Sequence, residues 1–290
     1  MHRRHFIQAT FLSSLTLPAW ALEADNIYRK EIGLQLYTLR KAIDENTSSA
    51  LAAAAAAGYA QVEPFGFPNA KSMEMIRIAR DLGLEVHSSH FAWQSVTEPE
   101  KEGVAPFAQI LEQAHSAGLS HLVIPYLDAS ARKTADDYRR IAERCNAAAV
   151  QAAAAGIQLA YHNHNFEFAP LEGGTTGYDV FMAEFAPEMK FELDVFWVKA
   201  GGVEPAALLE KLSDRVSQVH LKDLKAGISL PNFEKLPDDA FKELGSGIIP
   251  MEPIIVNAAA AGVAICHVEQ DQSPDALASI VQSMAHLRSL

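Results

Sequence analysis

Five times along the chain an alanine-rich segment ends in a glycine and is followed at once by a short β-prone run. AAAAG at 54–58 leads into YAQVEPF, ARDLG at 79–83 into LEVHSSHF and SAG at 116–118 into LSHLVIPY. AAAG at 153–156 then leads into IQLAYHNH, and AAG at 260–262 into VAICHVEQ. A glycine just beyond a helix takes the left-handed conformation that turns the chain out of it, so each unit predicts a helix delivered into a strand. The spacing leaves a helix and two loops between strands, as in parallel βαβ units. The eight expected strands are Ile32–Tyr37, Gln61–Phe65, Glu85–Ser89, His121–Pro125, Gln158–His162, Lys190–Asp194, Val216–Lys222 and Ala264–Glu269. Eight strands alternating with helices over about 260 residues match an α/β fold, the single-domain (β/α)8 TIM barrel, better than an open sheet. No G-x-G-x-x-G or G-x-x-x-x-G-K-[ST] follows the first strand, so dinucleotide and P-loop sites lack their key feature.

The barrel is expected over residues 25–290, because the first 21 residues read as an export signal. Arg3 and Arg4 form a positive start, Phe6 to Leu17 is moderately apolar, and Ala19-Trp20-Ala21 has the form of a cleavage site. The apolar run is too short to span a bilayer permanently. Twin arginines before His5-Phe6-Ile7 favour the twin-arginine (Tat) route over the general secretory one, and so a periplasmic or otherwise exported protein.

Mean hydropathy is +0.00 and the formal charge −12, from 24 basic and 36 acidic residues. Cleavage after Ala21 would remove Arg3 and Arg4 and leave the chain two charges more negative. That balance repels phosphate backbones, so no nucleic-acid partner is expected, nor a stable membrane association after export. Cys145, in a helical run, and Cys266, inside strand eight, are too few for a thiolate metal site and read as packed thiols. Metal ligands would therefore be histidine and carboxylate.

In a barrel the reactive groups sit where strands end, above an interior expected to be apolar packing. Polar residues gather at those ends: Gln35 and Tyr37; Glu63; His87, Ser89 and His90; His162, Asn163 and His164; Asp194; His220 and Lys222; Glu269 and Asp271. Any one would be an ordinary hydrogen-bonder. Together they are hard to bury without a shared counter-charge, which a divalent cation would supply. Period-two alternation puts His162 with His164, Gln218 with His220 and Lys222, His267 with Glu269, and Glu192 one layer below Asp194. Two carboxylates and two imidazoles on strands five to eight make an oxygen/nitrogen set for one Mn2+, Mg2+, Co2+ or Zn2+.

GLQLYTLR at 33–40, VEPFG at 62–66, YHNHNFEF at 161–168, FELDVFWVKAGG at 191–202, VHLKD at 219–223, LGSG at 244–247 and HVEQD at 267–271 together resemble the sugar phosphate isomerase/epimerase family of the xylose-isomerase-like TIM-barrel superfamily. The resemblance runs in order through the whole chain after the signal. It implies one divalent metal held at the ends of strands five to eight, with Asp194, His220 and Glu269 matching the last three ligands. Many relatives carry glutamate at the strand-five position. This chain has His162 there, with His164 or Glu167 as the alternatives for the fourth ligand.

That departure also removes one of the two glutamates that face each other across the sugar in ketose epimerases. Glu269 remains as metal ligand or base. Glu167 is the expected replacement if its loop folds over the mouth, and Lys222, with its pKa lowered by the metal, is a further acid/base candidate. Gln35, Tyr37, Glu63, His90, Trp93, His164 and Trp197 are expected to bind substrate. The implied reaction is proton abstraction next to a carbonyl, giving epimerisation, isomerisation or, in a lyase acting on 3-keto-glycosides, elimination. Exported location and few basic residues near the mouth favour an unphosphorylated sugar or keto-sugar. A non-catalytic periplasmic sugar-binding barrel and an abasic-site endonuclease are the competing classes, the latter disfavoured by the acidic charge. A homo-oligomer is compatible with the sequence.

Overall fold

The computed structural model describes residues 31–290; the expected export segment lies outside them. Eight strands form one parallel sheet: β1 Gly33–Gln35, β2 Gln61–Glu63, β3 Ser88–His90, β4 His121–Ile124, β5 Gln158–His162, β6 Met189–Asp194, β7 Val216–Leu221 and β8 Ile265–Val268. Their order is β2-β1-β8-β7-β6-β5-β4-β3. Isolated parallel bridges, Gln61 with Glu85 and Phe67 with Phe91, join β2 to β3 and nearly close the barrel. Each expected strand has its counterpart, and the fold is a TIM barrel in a single domain.

Strands one to three differ most from expectation, strand two stopping at Glu63 instead of Phe65. Strand one stops at Gln35, because the Gln35 side chain accepts the Tyr37 amide at 3.1 Å and opens a 3-10 turn over Leu36–Leu39. Tyr37 therefore rides on that turn. Strand three begins its ladder at Ser88 and extends to His90.

The helices form where the repeat placed them. Arg40–Ala57 ends at Gly58, whose φ of 97° lets its amide reach back to Ala54 and Ala55. Ala135–Ala154 starts from a capping box of Thr134 and Asp137. The strand faces turned to the helices are apolar and buried: Leu34, Val62, Leu122, Leu159, Leu193, Val219 and Val268. Cys145 and Cys266 are buried free thiols, their pKa values pushed up to about 12 by burial.

Contrary to the expected apolar packing, the barrel interior is polar well below the mouth. Glu63, Ser88, Glu192, Gln218 and His267 are all buried there. They are tolerated because most bond to one another, as buried polar groups must. Gln218 donates to Ser88 at 3.0 Å, Ser88 donates to Glu63, and Gln35 donates to Glu63 at 2.8 Å. Gly33 makes room for this tier: a Cβ there would run into the His267 ring and lie 2.8 Å from the Cys266 carbonyl oxygen.

After β7 the chain makes a small antiparallel ladder, Asp223–Leu224 with Phe241–Lys242. The segment between them folds back over the mouth, where Asn165 donates to the carbonyls of Asn232 at 3.0 Å and Glu234 at 2.9 Å. No helix among the described residues is long and apolar enough to cross a membrane.

Candidate active site at the mouth of the barrel

The four side chains expected to hold a metal converge. His162 ends β5, Asp194 ends β6, His220 lies in β7 and Glu269 follows β8 directly, and their donor atoms all lie within 4.8 Å of one another. Parallel pairing does this, since Asp194 and His267 both lie level with His220 in the ladder. One Asp194 oxygen accepts the amides of Phe196 at 2.9 Å and Trp197 at 3.1 Å, capping the helix Val195–Ala200. Its other oxygen is buried and accepts no well-aligned hydrogen bond, although Lys222 Nζ stands 3.1 Å away. Glu269 Oε2 lies 3.0 Å from His220 Nδ1 and 2.8 Å from Lys222 Nζ.

An orphaned carboxylate oxygen amid two imidazoles and a second carboxylate fits a divalent cation of the Zn2+, Mn2+ or Co2+ kind. Behind His220, Glu63 lies 2.8 Å from Nε2, the carboxylate–histidine arrangement that fixes which ring nitrogen faces the centre.

Charge in the cluster is tightly balanced. Burial alone would raise the Glu269 pKa, but Lys222 and His220 outweigh it and hold the carboxyl well below its usual range. Burial likewise opposes the charges of His220 and Lys222, yet the carboxylates win and hold both well above their usual values. The lowering expected of Lys222 beside a bound metal would have to act against these carboxylates. Asp194, Glu269 and Asp271 all lie within 3.2 Å of Lys222 Nζ and favour its ammonium form. Burial and the adjacent Glu269 push the Asp271 carboxyl up to about 7 against the pull of Lys222.

Two expected substrate contacts lie a tier too deep. Gln35 and Glu63 are fully buried and bonded to each other, so they support His220 from below instead of lining the mouth. Glu167 is also displaced from its expected role. The Phe166–Phe168 turn points its carboxyl toward the helix layer, where Tyr161 donates to one oxygen and the His164 amide to the other at 2.8 Å. Tyr161 precedes His162 and so faces outward, and Glu167 follows it. Burial raises the Glu167 pKa to about 7.

The remaining candidates, Tyr37, His90, Trp93, His164 and Trp197, line a cavity of about 970 Å³ above the cluster. His90 Nε2 lies 2.8 Å from Glu192, anchoring it to the tier below. The His164 ring stacks on Phe166, with centroids 5.3 Å apart, and tilts against Trp197 at 5.0 Å. Burial, His162 and Lys222 drive the His164 pKa well below its usual value, so its ring is neutral. His164 Nδ1 and Trp197 Nε1 are buried without a hydrogen-bond partner.

Sequence reasoning named Glu192, Asp271 and His267 without giving them a role, and passed over Tyr126 and Arg132. The first three carried a legible signal, namely the parity of Glu192 with Asp194 and of His267 with Glu269, and the place of Asp271 just past strand eight. Tyr126 and Arg132 lie beyond β4, whose end offers no charged residue, and only folding brings them to the wall.

The family model of the xylose isomerase-like TIM barrel matches residues 51–290. The chain belongs to that family. An inosose dehydratase of Clostridium beijerinckii is 24% identical over 234 residues, covering 72% of this chain and 77% of the relative. The crystal structure of a sugar phosphate isomerase/epimerase from Parabacteroides distasonis superposes with a TM-score of 0.71 at 25% identity, over 90% of this chain and 96% of that one. A structure of the IolI protein with a bound zinc atom shares the fold at a TM-score of 0.65 and 12% identity, over 89% and 98% of the two chains. Relatives of this barrel thus carry the names of a sugar phosphate isomerase/epimerase and of an inosose dehydratase.

Proposed function

We propose that this protein is a divalent-metal-dependent enzyme that abstracts a proton next to the carbonyl of an unphosphorylated sugar or keto-sugar and returns it as an isomerase or epimerase. The observation that carries this reading is the meeting of His162, Asp194, His220 and Glu269 beneath a half-open, aromatic-walled cavity. These four residues would hold the metal, which when bound would polarise the substrate carbonyl and stabilise negative charge on its oxygen.

The chain's own groups have separable tasks. Glu269, kept ionised by Lys222 and His220, is the carboxylate placed to take the proton. The Lys222 ammonium offers fixed positive charge for an oxygen gaining electron density. His90, His164 Nδ1 and Trp197 Nε1 supply polar contacts for hydroxyls, while Trp93 and Trp197 offer faces for sugar C–H groups.

Elimination is the second reading, favoured by two observations. Only one carboxylate of an epimerase pair reaches the mouth, and the cavity at about 970 Å³ has room for a sugar with a second group attached. A lyase or hydratase on 3-keto-glycosides would need just such a space, and one relative is named a dehydratase. We further infer export, supported by the twin arginines and the Ala19-Trp20-Ala21 site. Fractionation of cells carrying the tagged full-length chain tests it, and a wholly cytoplasmic protein refutes it.

The deciding experiment is metal analysis of the purified protein, followed by NMR of keto-sugars in deuterated water. The expected result is about one divalent ion per chain and deuterium entering next to the carbonyl. Metal-free protein, binding without exchange, or turnover confined to sugar phosphates would each overturn the reading.

A further inference from the structure

Arg132 stands in the cavity wall without a carboxylate of its own. Its guanidinium carbon lies over Phe166, 3.4 Å from the ring centroid, with the Tyr126 centroid at 5.8 Å. Its Nε donates to the Leu127 carbonyl at 3.0 Å, which fixes the plane, and it stands beside the Tyr138 hydroxyl. Among the described residues no carboxylate forms an ion pair with it. Glu167 feels its charge but spends both oxygens on Tyr161 and the His164 amide. Arg77, Arg139, Arg140 and Arg144 pair with acids, whereas Arg40, Arg80 and Arg215, which stand outside the lining that holds Arg132, donate to backbone carbonyls.

This guanidinium is half-buried, hydrogen-bonded in place and open to an anionic ligand at the cavity. Stacking fixes its orientation at low entropic cost, and its outer N–H groups form a fork that matches a planar carboxylate. His162, His164, Phe166 and Arg132 make a continuous row, with ring centroids 5.0 Å and 5.3 Å apart before the guanidinium contact. A molecule reacting over the metal-ligand cluster can therefore reach Arg132 with its far end.

We propose that Arg132 is a subsite for a carboxylate, so that the preferred substrate is a sugar acid carrying its charge away from the reacting carbon. A phosphate dianion is the less suitable occupant. Of the two lysines in the lining, Lys222 is held by Asp194, Glu269 and Asp271, and Lys235 is exposed between Glu234 and Asp238, so one fork must suffice. The inference rests on the cavity being a sugar site and adds the charge of the sugar.

The test is calorimetric titration of the full chain with D-glucuronate, D-glucose and D-glucose 6-phosphate, for wild type, Arg132→Met and Arg132→Lys. Methionine keeps the apolar stem, and lysine keeps the charge but not the fork. Glucuronate should bind about tenfold or more tightly than glucose, consistent with a charge-assisted pair. That preference should vanish in Arg132→Met and be partly restored in Arg132→Lys, while glucose affinity moves little. Glucose binding as well as glucuronate, or a preference that survives Arg132→Met, overturns this inference alone. Tighter binding of glucose 6-phosphate replaces carboxylate by phosphate and overturns it too. Failure of all three sugars to bind overturns the sugar site with it.

Discussion

At Asp194 one carboxylate oxygen caps a helix while the other faces the cluster, so a change that removes only the charge separates the two tasks. Asp194→Asn keeps a capping oxygen and should fold. It should lose metal affinity by about 100-fold or more, since even outer partners of metal ligands cost 10–100-fold. Metal content after equilibrium dialysis reads this, and unchanged loading would remove Asp194 from the ligand set. Glu167 gives a prediction of the opposite kind, about stability alone. Its folded pKa, raised by burial to about 7, exceeds the ordinary 4.5 of a glutamate, so the folded state holds the proton more tightly. That contribution is complete below about pH 4.5 and is lost as pH rises through 7, at a cost of about 3 kcal/mol. Glu167→Gln can accept from the His164 amide and donate its NH2 to the Tyr161 oxygen, and should flatten this slope, gaining on the wild type between pH 6 and 8 in urea melts. Parallel pH curves for the two proteins would refute the assignment.

Element by element, the mouth depends on how the chain leaves β7. Asp223 follows Lys222 and turns away from the cluster, and its buried carboxylate accepts the amides of Gly245 at 3.0 Å, Gly247 at 2.9 Å and Ile249 at 3.0 Å. The LGSG stretch is explained by this contact: Gly245 has a φ of 80°, and a Cβ on Gly247 would collide with Asp223. Asp223→Ala would strand these three amides and remove the bond from its neighbour Leu224 at 2.8 Å, and should cost about 3 kcal/mol or more. Urea denaturation measures it, and a loss below about 1 kcal/mol would show that water replaces the carboxylate. The strands themselves were legible because glycine after alanine-rich helix is a local signal. The short turn after β1 was not, since it depends on a side chain bending back onto its own backbone. The fold of residues 225–240 over the mouth was equally hidden, because Asn165 holds it from 67 and 69 positions away in sequence.

For the whole molecule the cluster is a store of opposed charges that a bound cation should relieve. Saturating Mn2+, Co2+ or Zn2+ at about 100 times its Kd should add ~2.7 kcal/mol of stability. For a chain of this size that raises Tm by roughly 5–10 °C, and EDTA should reverse it. Scanning calorimetry with and without each ion decides the matter. No shift with any of the three would argue that Lys222 and His220 alone neutralise the carboxylates.

Sequence by itself determined the architecture and the approximate level of each strand-end residue, because glycine punctuation and period-two alternation are properties of neighbouring residues. It placed His162, Asp194, His220 and Glu269 on strand ends that a barrel must bring together. Tertiary structure decided what each group faces. It put Gln35 and Glu63 beneath the mouth, turned Glu167 to the helix layer, surrounded Lys222 with three carboxylates and left Arg132 unpaired in the wall. Those outcomes depend on distances between residues far apart in the chain, and on burial that makes each charge answer to its neighbours.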